Sequence, residues 1–196
     1  MATRHIYLAR HGEAGRDGML SAAGREQADL LGRRLRAAGL TTVFCSPVPR
    51  AAQTAELVTA HLPGVTSQPL ELAGDYPPPA GDADLPPGYA KLISSFSPAE
   101  LAAGASLAAA AVERFARPAE ADARELIVTH NFLIGWFIRD ALGAPDWRWL
   151  GLNQCNAALT VIRYASGYPP ALVSFNDMDH LPAGLRWTGF PAELRG

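Results

Sequence analysis

The chain has 196 residues, of which 48% are apolar, and this length suits one domain with a substantial buried core. Its formal net charge of −2 excludes the strongly basic surface of a general nucleic-acid-binding protein. Because no apolar run approaches a membrane span and the N-terminus lacks a secretory signal pattern, we expect a cytoplasmic protein without a membrane partner. Cys45 and Cys155 lie far apart and form no metal or redox motif.

Strand-like and helix-like segments alternate along most of the chain. The predicted strands cover residues 5–9, 42–45, 66–70, 125–129, 157–164 and 171–176, the last as an edge hairpin partner. The predicted helices cover residues 21–38, 49–61, 89–96, 98–115 and 132–142. This alternation predicts an α/β fold with a mainly parallel sheet of about six strands, covered by helices on both faces. No repeat or linker divides the chain, so we expect a single domain over residues 1–196.

Residues 73–88 interrupt the alternation with five prolines and no basic residue. Asp75, Asp82 and Asp84 make the segment acidic. Long irregular segments in compact domains are often functional lids, so we expect an ordered excursion over the sheet edge. A plain surface loop is the alternative interpretation.

The most informative motif is Arg10-His11-Gly12, which directly follows the first predicted strand. Gly12 suits a sharp turn there, because glycine tolerates backbone angles that a Cβ forbids. Arg50 follows the next strand at the start of a helix, and His130 follows the strand at 125–129. Because ligands of open α/β sheets bind at the carboxyl ends of strands, we expect these side chains to meet at one edge.

Two histidines and two arginines at one site suit phosphoryl transfer, which asks a protein mainly for positioning and positive charge. We expect His11 to attack phosphorus as a neutral imidazole, while Arg10 and Arg50 bind the non-bridging oxygens. His130 is expected to bond another oxygen in the transition state. Glu71 is the candidate proton donor for the leaving alkoxide. This scheme requires neither a metal ion nor another cofactor.

With these motifs the chain resembles the histidine phosphatase superfamily, also called the phosphoglycerate-mutase-like family. The resemblance implies a three-layer α/β/α sandwich, with His11 as nucleophile, Arg10 and Arg50 as the arginine pair, and His130 as the second histidine. Glu71 before a proline cluster, and the tail stretches 152–157, 176–177 and 180–181, resemble a compact branch that includes mitochondrial Ser/Thr protein phosphatases. The anchoring segment of those mitochondrial members is not expected here.

The segment 71–77 fits the family's pattern around the acid loosely, so Asp75 is the alternative proton donor. We therefore predict a metal-independent phosphomonoesterase acting on a phosphorylated small molecule or a phosphoprotein. The alternatives are a phosphohistidine phosphatase, a phosphoglycerate-type mutase, and a non-enzymatic module that recognises phosphate. The oligomeric state stays open, a homodimer included.

Overall fold

The structure is a computed structural model that describes residues 2–81 and 85–195. Within those residues the strands are β1 Thr3–Arg10, β2 Thr42–Cys45, β3 Ser67–Pro69, β4 Ala123–Thr129, β5 Leu159–Ala165 and β6 Ala171–Asp177. The α-helices are α1 Ala22–Leu35, α2 Pro49–Thr59, α3 Pro87–Ile93, α4 Pro98–Phe115 and α5 Asn131–Ala141. Short 3₁₀ helices follow β3 at Glu71–Ala73, follow α5 at Asp146–Trp149, and occur near the C-terminus at Ala183–Leu185 and Ala192–Leu194.

The described strands form one sheet in the order β3-β2-β4-β1-β5-β6. The pairs β3–β2, β2–β4 and β4–β1 are parallel, whereas β5 runs antiparallel to both β1 and β6. The predicted α/β class and mainly parallel sheet are therefore confirmed. The sheet is mixed because β5 runs antiparallel to β1. A short turn at Gly167, whose φ of +79° suits glycine, then joins β5 to β6 as a hairpin. β6 is the edge strand of this hairpin, as predicted.

Helices cover both faces of the sheet, because side chains along each strand point alternately to opposite sides. On one face, Val43, Leu126 and Val128 belong to the same buried cluster as apolar residues of α1 and α2. On the other face, Leu8 and Ile127 belong to the cluster that contains residues of α4 and α5. The arrangement is the three-layer sandwich that the resemblance implied.

The order β2-β4-β1 places the carboxyl ends of three neighbouring parallel strands at one edge of the sheet. At that edge the backbone N–H of His11 donates to the carbonyl of Thr129 at 3.0 Å. The N–H of Ser46 likewise donates to the carbonyl of Val128 at 2.9 Å. The chain segments that follow these strands therefore start side by side, as the sequence predicted.

The first half of the Pro-rich segment packs against the domain. Tyr76, Pro77 and Pro78 are buried, and a Cβ added to Gly104 of α4 would overlap the carbonyl oxygen of Pro77. Residues 73–81 therefore form an ordered part of the predicted excursion, whereas Asp82 and Asp84 lie outside the described residues. Within the described part of the chain, no helix combines the length and the apolar character that a membrane span needs.

Candidate active site

A cavity of about 370 Å³ lies at the carboxyl ends of β1, β2 and β4. Its lining includes the predicted site residues Arg10, His11, Arg50 and His130, together with Asp75. The structure therefore brings together four of the side chains that the sequence motifs singled out. It adds the carboxylate that sequence analysis kept as the alternative proton donor.

Hydrogen bonds from residues 156–157 and from Thr54 hold the backbone around His11. The carbonyl of His11 accepts from the side-chain amide of Asn156 at 3.0 Å and from the N–H of Ala157 at 3.3 Å. The following N–H, of Gly12, donates to the hydroxyl of Thr54 at 3.0 Å. These bonds satisfy backbone polar groups inside the protein and hold in place the segment that carries the His11 ring.

The hydrogen bonds of the His11 ring assign its tautomer. Nδ1 lies 2.7 Å from the carbonyl oxygen of Gly12, and a carbonyl only accepts, so Nδ1 carries the proton. Nε2 then has a free electron pair, which accepts a hydrogen bond from Nε of Arg50 at 3.0 Å. Burial lowers the pKa of His11 to about 3, with smaller contributions in the same direction from His130, Arg10 and Arg50. At neutral pH the ring is uncharged and presents Nε2 beside Arg50.

Arg50 connects the two histidines with the carboxylate. Its Nη2 lies 2.6 Å from Oδ2 of Asp75 and 3.3 Å from Nδ1 of His130. The His11 and His130 rings are 5.1 Å apart between centroids. Burial, followed by the charges of Arg50 and Arg10, lowers the pKa of His130 to about 3. Two neutral imidazoles therefore flank a charged guanidinium.

Arg10 contributes the second positive charge and also joins distant segments. Its Nη1 donates to the carbonyls of Gln154 and Gly189, each at 2.6 Å. Burial lowers the pKa of Arg10 below its usual value, but a guanidinium stays charged at neutral pH. His130 is the N-cap of α5 and makes no side-chain cap, so the first N–H groups of this helix add positive potential near the cavity.

Glu71 does not line the cavity. It is exposed and lies in the 3₁₀ helix Glu71–Ala73, whereas Asp75, four residues later, contacts Arg50. The structure therefore brings Asp75, and not Glu71, to the two histidines.

Gly12 also lies outside the cavity lining, and the prediction that it allows a sharp turn through backbone angles that a Cβ forbids was wrong. Its φ is not in the left-handed region. A Cβ at this position would instead overlap the carbonyl oxygen of Gly24 in α1. Gly12 is thus required by the close approach of α1 to the end of β1.

Sequence analysis assigned no role to several residues that line the cavity: Asn131, Phe132, Asn153, Gly189 and Pro191. Asn131 directly follows His130, and Asn153 lies in the tail stretch 152–157. Both positions therefore belong to motifs from which a place near the site could have been predicted. Their side chains contact each other, with Nδ2 of Asn131 at 3.3 Å from Oδ1 of Asn153. Gly189 and Pro191 come from the C-terminal segment, which no sequence pattern linked to the site.

Within residues 2–81 and 85–195, no cluster of three His, Cys, Asp or Glu side chains is arranged to hold a metal ion. The positive groups that line the cavity are the guanidinium groups of Arg10 and Arg50. An anion such as a phosphate group is therefore the ligand that this cavity suits by charge.

Residues 6–73 and 94–178 match the family model described as the histidine phosphatase superfamily, branch 1. The serine/threonine-protein phosphatase Pgam5 of Caenorhabditis elegans, named as mitochondrial, is 34% identical over 192 residues, covering 92% of this chain and 65% of that protein. The mitochondrial serine/threonine-protein phosphatase PGAM5 of Homo sapiens is 31% identical with the same coverage. The chain thus spans 65% of the length of these curated relatives, which is just under two thirds. These relatives contradict the cytoplasmic location predicted from the sequence, because their names place them in mitochondria.

Solved structures show the same fold. YhfR of Bacillus stearothermophilus has a TM-score of 0.68 at 21% identity, covering 90% of this chain and 98% of that one. A phosphoserine phosphatase mutant of Entamoeba histolytica, solved with phosphoserine, has a TM-score of 0.65 at 20% identity, covering 91% and 100%. The family model covers more than half of the chain and includes both histidines and both arginines of the cavity. The chain therefore belongs to the histidine phosphatase superfamily, which confirms the family that its motifs indicated.

Proposed function

We propose that this chain hydrolyses phosphomonoesters without a metal ion, through a phosphohistidine formed on Nε2 of His11. The observation that carries this proposal is the bond between Nδ1 of His11 and the Gly12 carbonyl, which leaves Nε2 unprotonated in a positively charged cavity. The curated relatives named as serine/threonine-protein phosphatases support phosphatase activity in the same family.

In the first step, the Nε2 electron pair of His11 forms a bond to phosphorus while the bond to the ester oxygen breaks. Arg50 Nε, which bonds Nε2 in the free protein, turns to a phosphoryl oxygen. Arg10 offers its buried Nε, which has no hydrogen-bond partner among the described residues. In the free protein Nδ1 of His130 faces Arg50 Nη2, which only donates. Once Arg50 has turned to the phosphate, the hydroxyl of Ser46, 2.9 Å from Nε2 of His130, donates to that nitrogen, and the tautomer with the proton on Nδ1 presents Nδ1–H to the phosphate. These donors stabilise the charge on the transferring group.

We assign the proton transfer to Asp75. Its carboxylate binds Arg50 in the free protein, so an incoming phosphate competes with it for the guanidinium. The carboxyl group that the phosphate displaces from Arg50 takes up a proton from solvent. The displaced Asp75 then gives its proton to the leaving alkoxide. In the second step it takes a proton from water, which attacks phosphorus, releases phosphate and restores neutral His11.

Hydrolysis of para-nitrophenyl phosphate in EDTA tests the nucleophile. We expect metal-independent turnover in the wild type and a loss of about a thousandfold or more in His11→Ala. His61→Ala is the matched control, because His61 pairs with Asp29 away from the cavity. Equal turnover in wild type and His11→Ala would contradict the proposal. Phosphate transfer between substrate and product analogues without phosphate release would favour a mutase instead.

A second experiment separates the two candidate proton donors. Asp75→Asn should lower kcat/KM for an alkyl phosphate about 10²- to 10⁴-fold. The same variant should change kcat/KM for para-nitrophenyl phosphate little, because kcat/KM reports the steps up to release of para-nitrophenolate, which leaves without a proton. Glu71→Gln is the matched control and should match the wild type on both esters. The opposite pattern assigns the proton transfer to Glu71, and no loss in either variant favours the phosphohistidine phosphatase.

A further inference from the structure

A second cavity opens beside the phosphate site. It has a volume of about 400 Å³ and shares four lining residues with that site: Asn131, Phe132, Asn153 and Pro191. The two cavities therefore adjoin, with Phe132 and Pro191 forming part of both. Volumes from about 300 Å³ upward are typical of sites that bind small molecules.

The side chains that line this second cavity, here called the apolar groove, are mostly aromatic or aliphatic. They are Tyr89, Leu92, Phe132, Trp149, Leu150 and Leu194. Phe132 packs edge-on against Trp149 with ring centroids 4.9 Å apart, so the aromatic wall is supported by a buried side chain. Leu194, in the 3₁₀ helix near the C-terminus, is 56% exposed although it is apolar. A ligand that covers these surfaces gains free energy by removing them from water.

The charges limit what the groove binds. Glu193 is the charged side chain among its described lining residues, Asn131 and Asn153 line both cavities, and Arg10 and Arg50 line the phosphate site alone. A second phosphate or carboxylate in the groove would meet a negative charge and no guanidinium. An uncharged ring system fits both the apolar walls and this charge.

We infer that the apolar groove binds the leaving group of the substrate, and that this enzyme acts on small phosphomonoesters of uncharged, aromatic alcohols with one or two rings. This inference rests on the proposed function, because it places the phosphate on Arg10, His11 and Arg50. The ester oxygen then lies near Asn131 and Asn153, and the ring system extends over Phe132 toward Leu194.

Binding of two non-hydrolysable phosphonates, measured by calorimetry, tests the groove independently of turnover. (1-Naphthyl)methylphosphonate should bind at least about tenfold more tightly than methylphosphonate, since burial of roughly 55 Å² of apolar surface suffices for that ratio. Leu92→Gln and Leu194→Gln should each reduce the ratio about threefold or more. Leu142→Gln is the matched control, because Leu142 is exposed and lies outside the lining of both cavities.

Each outcome addresses one proposal. Equal affinity for the two phosphonates, or a ratio that the groove variants do not change, overturns the groove assignment. A preference found only for a phosphoserine peptide with an apolar neighbour overturns it in favour of a protein substrate. If the naphthyl preference holds while His11-dependent turnover is absent, the proposed function fails, and with it the leaving-group role, whereas binding of an aromatic group in the groove stands. Thermal unfolding of each variant verifies that it is folded.

Discussion

The phosphate site has two halves that are built in different ways. In the strand-end half, Arg10 ends β1, His11 and His130 directly follow β1 and β4, and Arg50 lies in the first turn of α2 after β2. The sheet ladder determines the spacing of these strand ends. The wall half consists of irregular segments, with Asp75 from the loop after β3 and Gly189 from the C-terminal segment. The positions of the wall-half residues depend on contacts between residues far apart in the chain, such as the hydrogen bond that Arg10 donates to the Gly189 carbonyl. The first half is suited to the chemistry shared by the family, and the second to the selection of the leaving group.

The largest expected effect tests the strand-end half. Arg50 bonds His11 through Nε and both His130 and Asp75 through Nη2, which one ammonium group cannot reproduce. Arg50→Lys should therefore lower kcat/KM about 10²- to 10³-fold on every phosphomonoester. Arg25→Lys, on the exposed face of α1, is the matched control. A loss confined to one class of leaving group would mean that Arg50 belongs functionally to the wall half.

The next effect concerns stability and pH. The pKa of both His11 and His130 lies at about 3 in the folded protein, whereas an unfolded histidine has a pKa of about 6.5. Between these values the unfolded state binds more protons, so the free energy of unfolding falls as the pH falls through 6.5. From pH 6 to 5 we expect a loss of about 1 kcal/mol for each of the two histidines.

Urea unfolding of the wild type and His130→Asn at pH 6 and pH 5 measures this contribution. The variant should lose about 1 kcal/mol less over this interval than the wild type. Identical losses would show that His130 is protonated in the folded protein over this range. The pH dependence of the strand-end half would then have to be reassigned.

The strand-end half could be predicted from the sequence because short-range rules govern it. An apolar run followed by Arg10-His11-Gly12, together with the rule on strand ends, was enough to place these side chains at one edge. The wall half was not predicted in the same way, because no local pattern shows which loop turns toward the cavity. Both Glu71 and Asp75 were candidates, and the 3₁₀ helix Glu71–Ala73 determines that Asp75 reaches Arg50. Likewise, nothing local indicated that Gly189 meets Arg10.

The third effect tests the packing that supports the strand-end half. In Gly12→Ala the new Cβ would overlap the carbonyl of Gly24, so the backbone of β1 or α1 has to shift. We expect a loss of about 1–3 kcal/mol in the free energy of unfolding, which is typical of overpacking, together with reduced turnover. Gly184→Ala is the matched control, since a Cβ there meets nothing within 4 Å. Equal stability of both variants would show that α1 can move away without cost.

The smallest expected effect tests the wall half. The indole Nε1 of Trp149 donates to the carbonyl of Pro79 at 2.9 Å and so ties the Asp75 loop to the body of the domain. Trp149→Phe removes this bond and should cost about 1 kcal/mol more in the free energy of unfolding than Trp147→Phe. If Asp75 is the proton donor, the looser loop should also lower kcat/KM for alkyl phosphates more than kcat/KM for para-nitrophenyl phosphate. An equal loss of kcat/KM on both esters would show that Trp149 supports the strand-end half through Phe132 of α5, against which its ring packs. The two halves would then share one support, and leaving-group selection would depend on the same packing as the chemistry.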